Sequence, residues 1–150
     1  MPADNCQTCQ LIAARDAGTA PMWDCIIRTD YWDVVHAYDT SLLGWMCLVL
    51  RRHIAAIDEL TEAEASELGG LLRRVSTFLK HDRGCVKTYV LQFAEHPDHP
   101  HVHFHVVPRS ADMPVDHRGA NVFAYLNVAD SQRVTETDMN ALAARLRQSF

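Results

Sequence analysis

Long apolar runs are missing from this chain. The longest, Leu42 to Leu50, is far short of the roughly 20 residues that cross a bilayer, so no spanning helix and no membrane partner are expected. The first residues offer no basic segment followed by an apolar one, so a secretory signal is not expected either. Positive charge is short too. There are 14 lysines and arginines against 19 aspartates and glutamates, a net charge of −5 with histidine neutral, which excludes a whole-chain basic field for a nucleic acid polymer. Cysteine is present but odd in number: Cys6, Cys9, Cys25, Cys47 and Cys85 cannot all pair, and the last three sit in or beside apolar segments as small buried hydrophobes. Reduced thiols and a cytoplasmic location fit this better than a disulfide framework. There is no internal repeat and no linker, so residues 1–150 read as a single domain.

What is present is an ordinary globular composition, 48% hydrophobic and 22% charged, with clear local patterning. After a loose lead-in over Met1 to Asn5, Gln10 to Arg15 reads as a short helix stopped by Gly18 and Pro21. Trp23 to Arg28 and Tyr31 to Tyr38 read as strands around a turn at Thr29-Asp30. Trp45 to Leu50, nearly all apolar, is expected to be a central strand. Thr61-Glu62-Ala63-Glu64 is a capping-box signature opening the longest helix, to about His81, with Leu68, Leu71, Leu72, Val75, Phe78 and Leu79 as its apolar stripe. Gly69-Gly70 in its middle points to a close packing contact. Val86 to Phe93 is a fourth strand, the segment after His101 a fifth, and Val122 to Val128 a possible extension. Thr135 opens a last helix to Phe150. Strands that follow one another directly favour antiparallel pairing. The expected fold class is therefore α+β: an antiparallel five-stranded sheet with a long helix and a C-terminal helix.

The chemistry gathers in His101-Val102-His103-Phe104-His105-Val106-Val107, where polar and apolar residues alternate with the period of a strand. Val102, Phe104 and Val106 then enter the core, and the three imidazoles line the other face, roughly 6.5–7 Å apart. Pro108 is expected to end the strand. Three readings stay open on spacing alone: a metal site, histidines decorating an exposed face, or nucleophilic catalysis on phosphorus. In the last, a carbonyl holding the proton of one ring nitrogen leaves the other lone pair aimed at substrate. The flanking imidazoles then hydrogen-bond phosphate oxygens, and the three titrate as a coupled set. Cys6-Gln7-Thr8-Cys9 is equally open: a redox pair, half a zinc site or two accidental thiols, although no βαβ pattern surrounds it to favour the first.

The segment His101 to Arg109 resembles the signature of the histidine triad (HIT) family of nucleotide hydrolases and transferases, His-φ-His-φ-His-φ-φ followed by Pro-Arg. Other pieces fall in the family's order: Cys6-x-x-Cys9, Asp39 after a strand, a strand closing in Arg51-Arg52-His53, and a strand ending at Gln92. The resemblance implies that His103 is the nucleophile, forming a covalent nucleotidyl-histidine, and that His105 contacts the α-phosphate, with His101 beside it. It implies that Asp39 binds ribose and that Gln92 supplies an amide near the bridging oxygen. Where many members carry glycine and a Gln-Ser or Gln-Thr pair, this chain has Glu95-His96-Pro97-Asp98-His99-Pro100, so the leaving group meets a different surface. His96 and Asp98 read as exposed loop residues.

Resemblance to the zinc-containing branch, which includes the galactose-1-phosphate uridylyltransferases, implies Cys6, Cys9, His53 and His101 as ligands of a structural Zn2+, with no metal needed for catalysis. It also implies a small-molecule nucleotide substrate and a homodimer. Arg109 then reads as structural or dimer-forming, and Trp32 and Trp45 as packing. The rival reading, from another class, is a non-catalytic nucleotide- or zinc-binding module.

Overall fold

The computed structural model describes residues 5–150, so all but Asn5 of the expected lead-in lies outside the described residues. The elements run α1 (Gln7–Asp16), β1 (Ile27–Arg28), β2 (Trp32–His36), β3 (Met46–Leu50), α2 (Glu62–Arg83), β4 (Lys87–Leu91), β5 (His103–Arg109) and α3 (Glu136–Ser149), joined by short 3-10 turns. The five strands form one sheet in the order β1-β2-β3-β5-β4, every neighbouring pair antiparallel. The expected α+β class is the observed one. β3 lies at its centre and is buried along its whole length, as its continuous apolar run required.

The sheet separates two cores. Val34, Leu48 and Val106 point to the side covered by Leu71, Val75 and Leu79 of α2 and by Leu142 and Leu146 of α3. Val35, Cys47, Val49 and Val107 point to the other side, where Ile12 of α1 and Val122 close over them. The register sets Cys47 opposite His105 and Val49 opposite His103, so both histidines share this second face. α2 starts where its sequence says. The Thr61 hydroxyl accepts from the Glu64 N–H, and the Glu64 carboxylate accepts from the Thr61 N–H at 2.8 Å. Gly84, at φ 61°, ends it in the left-handed conformation. Gly44 is required elsewhere: it has φ +97°, and a Cβ there would come within 3.2 Å of Leu79, Arg83 and Pro108.

The structure departs from five of these expectations. Trp23 to Arg28 is a strand only at its last two residues, because Met22–Asp24 turns as a 3-10 helix that buries Asp24 against Arg15 (2.9 Å). Pro108 does not end β5. It pairs with Thr88 past the last β3 partner, Val106, where the strand has a neighbour on one side only. Val122 to Val128 adds no strand, since Gly119–Tyr125 is a 3-10 helix. Gly69 and Gly70 make no close contact; they lie on the exposed face, and Cβ atoms there would meet nothing. Of the three cysteines read as buried, Cys47 and Cys85 are, while Cys25 is half-buried.

Candidate active site and metal centre

On the second face a cavity of about 420 Å³ opens over β5, within the size range of small-molecule sites. β5 supplies His103 and His105, β3 supplies Cys47 and Val49, and the residues just after β2 supply Ala37, Tyr38 and Asp39. α1 contributes Gln7 and Thr8, the segment after β4 contributes Phe93 to His99, and the late 3-10 region contributes Phe123, Leu126 and Asn127. Ala94 and Asn127 hold left-handed φ values of 57° and 54° in this wall, a conformation that side chains disfavour and that gathers at functional sites.

The ring of His103 is fixed by its backbone neighbourhood. Its Nδ1 lies 2.7 Å from the His101 carbonyl oxygen, which only accepts, so Nδ1 carries the proton and the lone pair sits on Nε2. Burial lowers its pKa below the ordinary imidazole value, against the opposing pull of that carbonyl, so the ring is uncharged at neutral pH. His105 stands edge-on to it, ring centres 4.8 Å apart, and burial pushes its pKa down to about 3. His99 reaches across the mouth, Nδ1 2.9 Å from the Thr8 hydroxyl and Nε2 3.3 Å from the Tyr38 hydroxyl. Among the described residues lining the cavity, the one guanidinium, Arg15, is buried and taken up by Asp24 and Asp33. Asp39, Glu95 and Asp98 are the other charged groups of the wall.

The sequence-derived residues separate into two places. His103, His105 and Asp39 line the cavity, as do the loop residues His96 and Asp98, both exposed. Gln92 does not line it. It lies one residue beyond Leu91, the last residue of β4 and the partner of His105. Its amide nitrogen is buried there without a hydrogen-bond partner. His101 is fully buried and also absent from the cavity wall, because its Nδ1 turns toward the cysteines and its Nε2 donates to the Leu50 carbonyl at 2.5 Å. Phe93, Phe123, Thr8, Tyr38 and His99 went unread as site residues. The only local signal was the departure of residues 95–100 from the triad pattern.

Cys6, Cys9, His53 and His101 converge, with all four candidate ligand atoms within 4.8 Å of one another. The His53 and His101 Nδ1 atoms are 3.2 Å apart, Cys9 Sγ is 3.2 Å and 3.5 Å from them, and Cys6 Sγ is 3.8 Å from His101 Nδ1. Tetrahedral bonds of about 2.0–2.3 Å to nitrogen and sulfur would separate ligands by roughly 3.3–3.8 Å, close to these four separations, so the donor set suits a zinc ion. The Leu50 carbonyl fixes the His101 tautomer that leaves Nδ1 free to coordinate, the usual outer-shell arrangement. Burial, helped by the adjoining Cys6 thiol, otherwise holds the Cys9 thiol up at about 11.

No protein-family model matches the sequence, and no curated protein matches it. Solved structures do match the fold. A histidine triad protein from Bradyrhizobium japonicum superposes with a TM-score of 0.68 at 21% identity, over 83% of this chain and 88% of that one. A HIT-like protein from Bartonella henselae gives 0.69 at 12% identity over 93% and 95%. A Zn-bound histidine triad family protein from Mycobacterium smegmatis gives 0.61 at 13% identity over 99% of both chains. The architecture defines a class: this chain has the histidine triad fold. Within that class it carries His103 and His105 on β5 and His101 two residues before it, the last belonging to a Cys2His2 cluster of ligand-type side chains.

Proposed function

We propose that the chain is a nucleotide hydrolase or nucleotidyl transferase that attacks the α-phosphate of a nucleoside phosphate conjugate through His103. The observation that carries the reading is the hydrogen bond from His103 Nδ1 to the His101 carbonyl, made by a ring that lines the cavity. It prepares an uncharged nitrogen nucleophile without needing a base. The His103 Nε2 lone pair forms the N–P bond as the bond to the leaving group breaks, and the leaving group takes that electron pair. The Nδ1 proton stays on the ring, held by the carbonyl. Water or another acceptor then attacks the phosphorus of nucleotidyl-His103, the N–P bond breaks with its electron pair returning to Nε2, the proton of the attacking hydroxyl passes to solvent, and the nucleotide is released.

The remaining roles follow the same geometry. His105 supports a phosphoryl oxygen, since among the described residues no free guanidinium lines the wall to do so. Asp39 at the rim takes the ribose hydroxyls, and the exposed Phe93, packed against Phe123 at 5.6 Å, offers a base a stacking surface. Zinc at Cys6, Cys9, His53 and His101 is structural, tying α1 to the start of the triad strand. β4 is an uncovered edge with Val86 and Val90 half-exposed, and we assign it to a homodimer contact, checked by light scattering on the eluted protein. The function is tested with dinucleoside polyphosphates, nucleoside phosphoramidates and adenylyl sulfate. Turnover of at least one is expected, falling at least about 1,000-fold in His103→Ala while nucleotide binding persists. Nucleotide binding without turnover in the wild type would leave a non-catalytic binding module instead.

A further inference from the structure

The two cavity-facing histidines of β5 carry their protons on opposite nitrogens. His103 gives its Nδ1 proton to a carbonyl that only accepts. His105 does the reverse: its Nδ1 lies 2.9 Å from the indole Nε1 of Trp45, which only donates. Nδ1 of His105 is therefore the acceptor, and the single proton of the neutral ring sits on Nε2. Trp45 is completely buried and meets His105 edge-on, ring centres 5.6 Å apart at 82°. Phe123 holds both rings, at 5.7 Å from Trp45 and 5.4 Å from His105. The titratable groups facing His105 are His103 on its own strand and Cys47 on β3, whose sulfur lies 3.5 Å from the same Nδ1. From β4 the opposing residue is the uncharged Leu91.

We infer that Trp45 is a positioning residue that locks His105 as the neutral Nε2–H tautomer, making it a hydrogen-bond donor that does not exchange protons during the reaction. Charging His105 would set an N–H against the indole N–H at 2.9 Å, two donors facing each other with water excluded. This assignment rests on the proposed nucleotidyl transfer for its purpose, though not for its geometry. In that step His105 lends its Nε2–H to a phosphoryl oxygen and keeps the proton. The leaving group departs with the electron pair of the broken bond and takes no proton from His105.

The test is histidine nitrogen NMR on the ligand-free, full-length protein, joined to pH–rate profiles. In the wild type His105 is expected to be Nε2–H from about pH 8 to about pH 5. In Trp45→Phe, which keeps a ring and removes the N–H, the His105 signals should show both tautomers and begin to titrate in that range. The kcat/KM profile should gain an ionisation there that the wild type lacks. A wild-type His105 protonated on Nδ1, or charged at pH 7, would overturn the inference, as would a Trp45→Phe protein with unchanged tautomer and profile. If that variant fails to fold, the wild-type spectrum decides alone. A correct tautomer in a protein that turns over no nucleotide conjugate would uphold the lock and sink the proposed function.

Discussion

At the scale of single residues, histidine does different work at each position, and the partner of Nδ1 decides which. His103 faces a carbonyl, His105 an indole N–H, and His101 a pair of thiols. His36 is the structural member of the group. Its ring is buried between the Ala37 carbonyl at 2.7 Å and the Gly44 N–H at 2.9 Å, and burial drives its pKa from 6.5 down to about 4. A base whose folded pKa is depressed stabilises the fold fully above its unfolded value and loses that contribution as pH falls toward the folded one. Wild-type stability should thus drop by about 2 kcal/mol more than that of His36→Leu between about pH 7 and about pH 5. Equal slopes in urea unfolding of the two proteins would contradict this. The triad's alternation was legible because a strand has a period of two. The parting of His101 from His103 and His105 was implied by the resemblance but not legible from spacing, because the Leu50 carbonyl and the Trp45 indole that hold the outer two rings come from chain some fifty to sixty residues away.

At the scale of elements, the long helix shows what patterning captures and what it misses. Its capping box and apolar stripe were legible, since both depend on neighbours within one or two turns. The purpose of Gly69-Gly70 was not, because spacing alone cannot distinguish a tight contact from open solvent. Both face outward with nothing near, so each costs the helix without a packing return. Gly70→Ala should raise stability by roughly 0.5–1 kcal/mol, read by denaturant midpoint at constant slope, and a loss would mean an unseen partner covers that face. The segment before β1 failed for the opposite reason. Its apolar residues looked like strand, but Asp24 is pulled inward by the Arg15 guanidinium, which also bonds the Asp24 carbonyl at 2.8 Å. Gln92 lies just past the end of β4, outside the cavity lining, a placement that strand pattern alone did not set.

At the scale of the molecule, the cavity and the Cys/His cluster are two ends of one construction. α1 carries Cys9 to the cluster and Thr8 to the cavity rim, and its Arg15 anchors it to Asp33 of β2. His101 belongs to the cluster while its carbonyl orients the His103 ring two residues on. Purified protein should hold one zinc per chain by elemental analysis, and Cys6→Ser with Cys9→Ser should hold none and lose a few kcal/mol of stability. A metal-free wild type of undiminished stability would remove the centre. The cavity walls drawn from α1 and the late 3-10 region were beyond sequence reading, since they meet only after the sheet has formed. No helix among the described residues is long and apolar enough to cross a membrane.

The proposed reaction turns on a bond between phosphorus and one ring nitrogen. Wild-type protein mixed briefly with a labelled adenylate donor, quenched without acid and mapped by peptide mass spectrometry should carry adenylate on His103. The adduct should be acid-labile and absent from His103→Ala. Label on any other residue, or full turnover retained in that variant, would contradict the account.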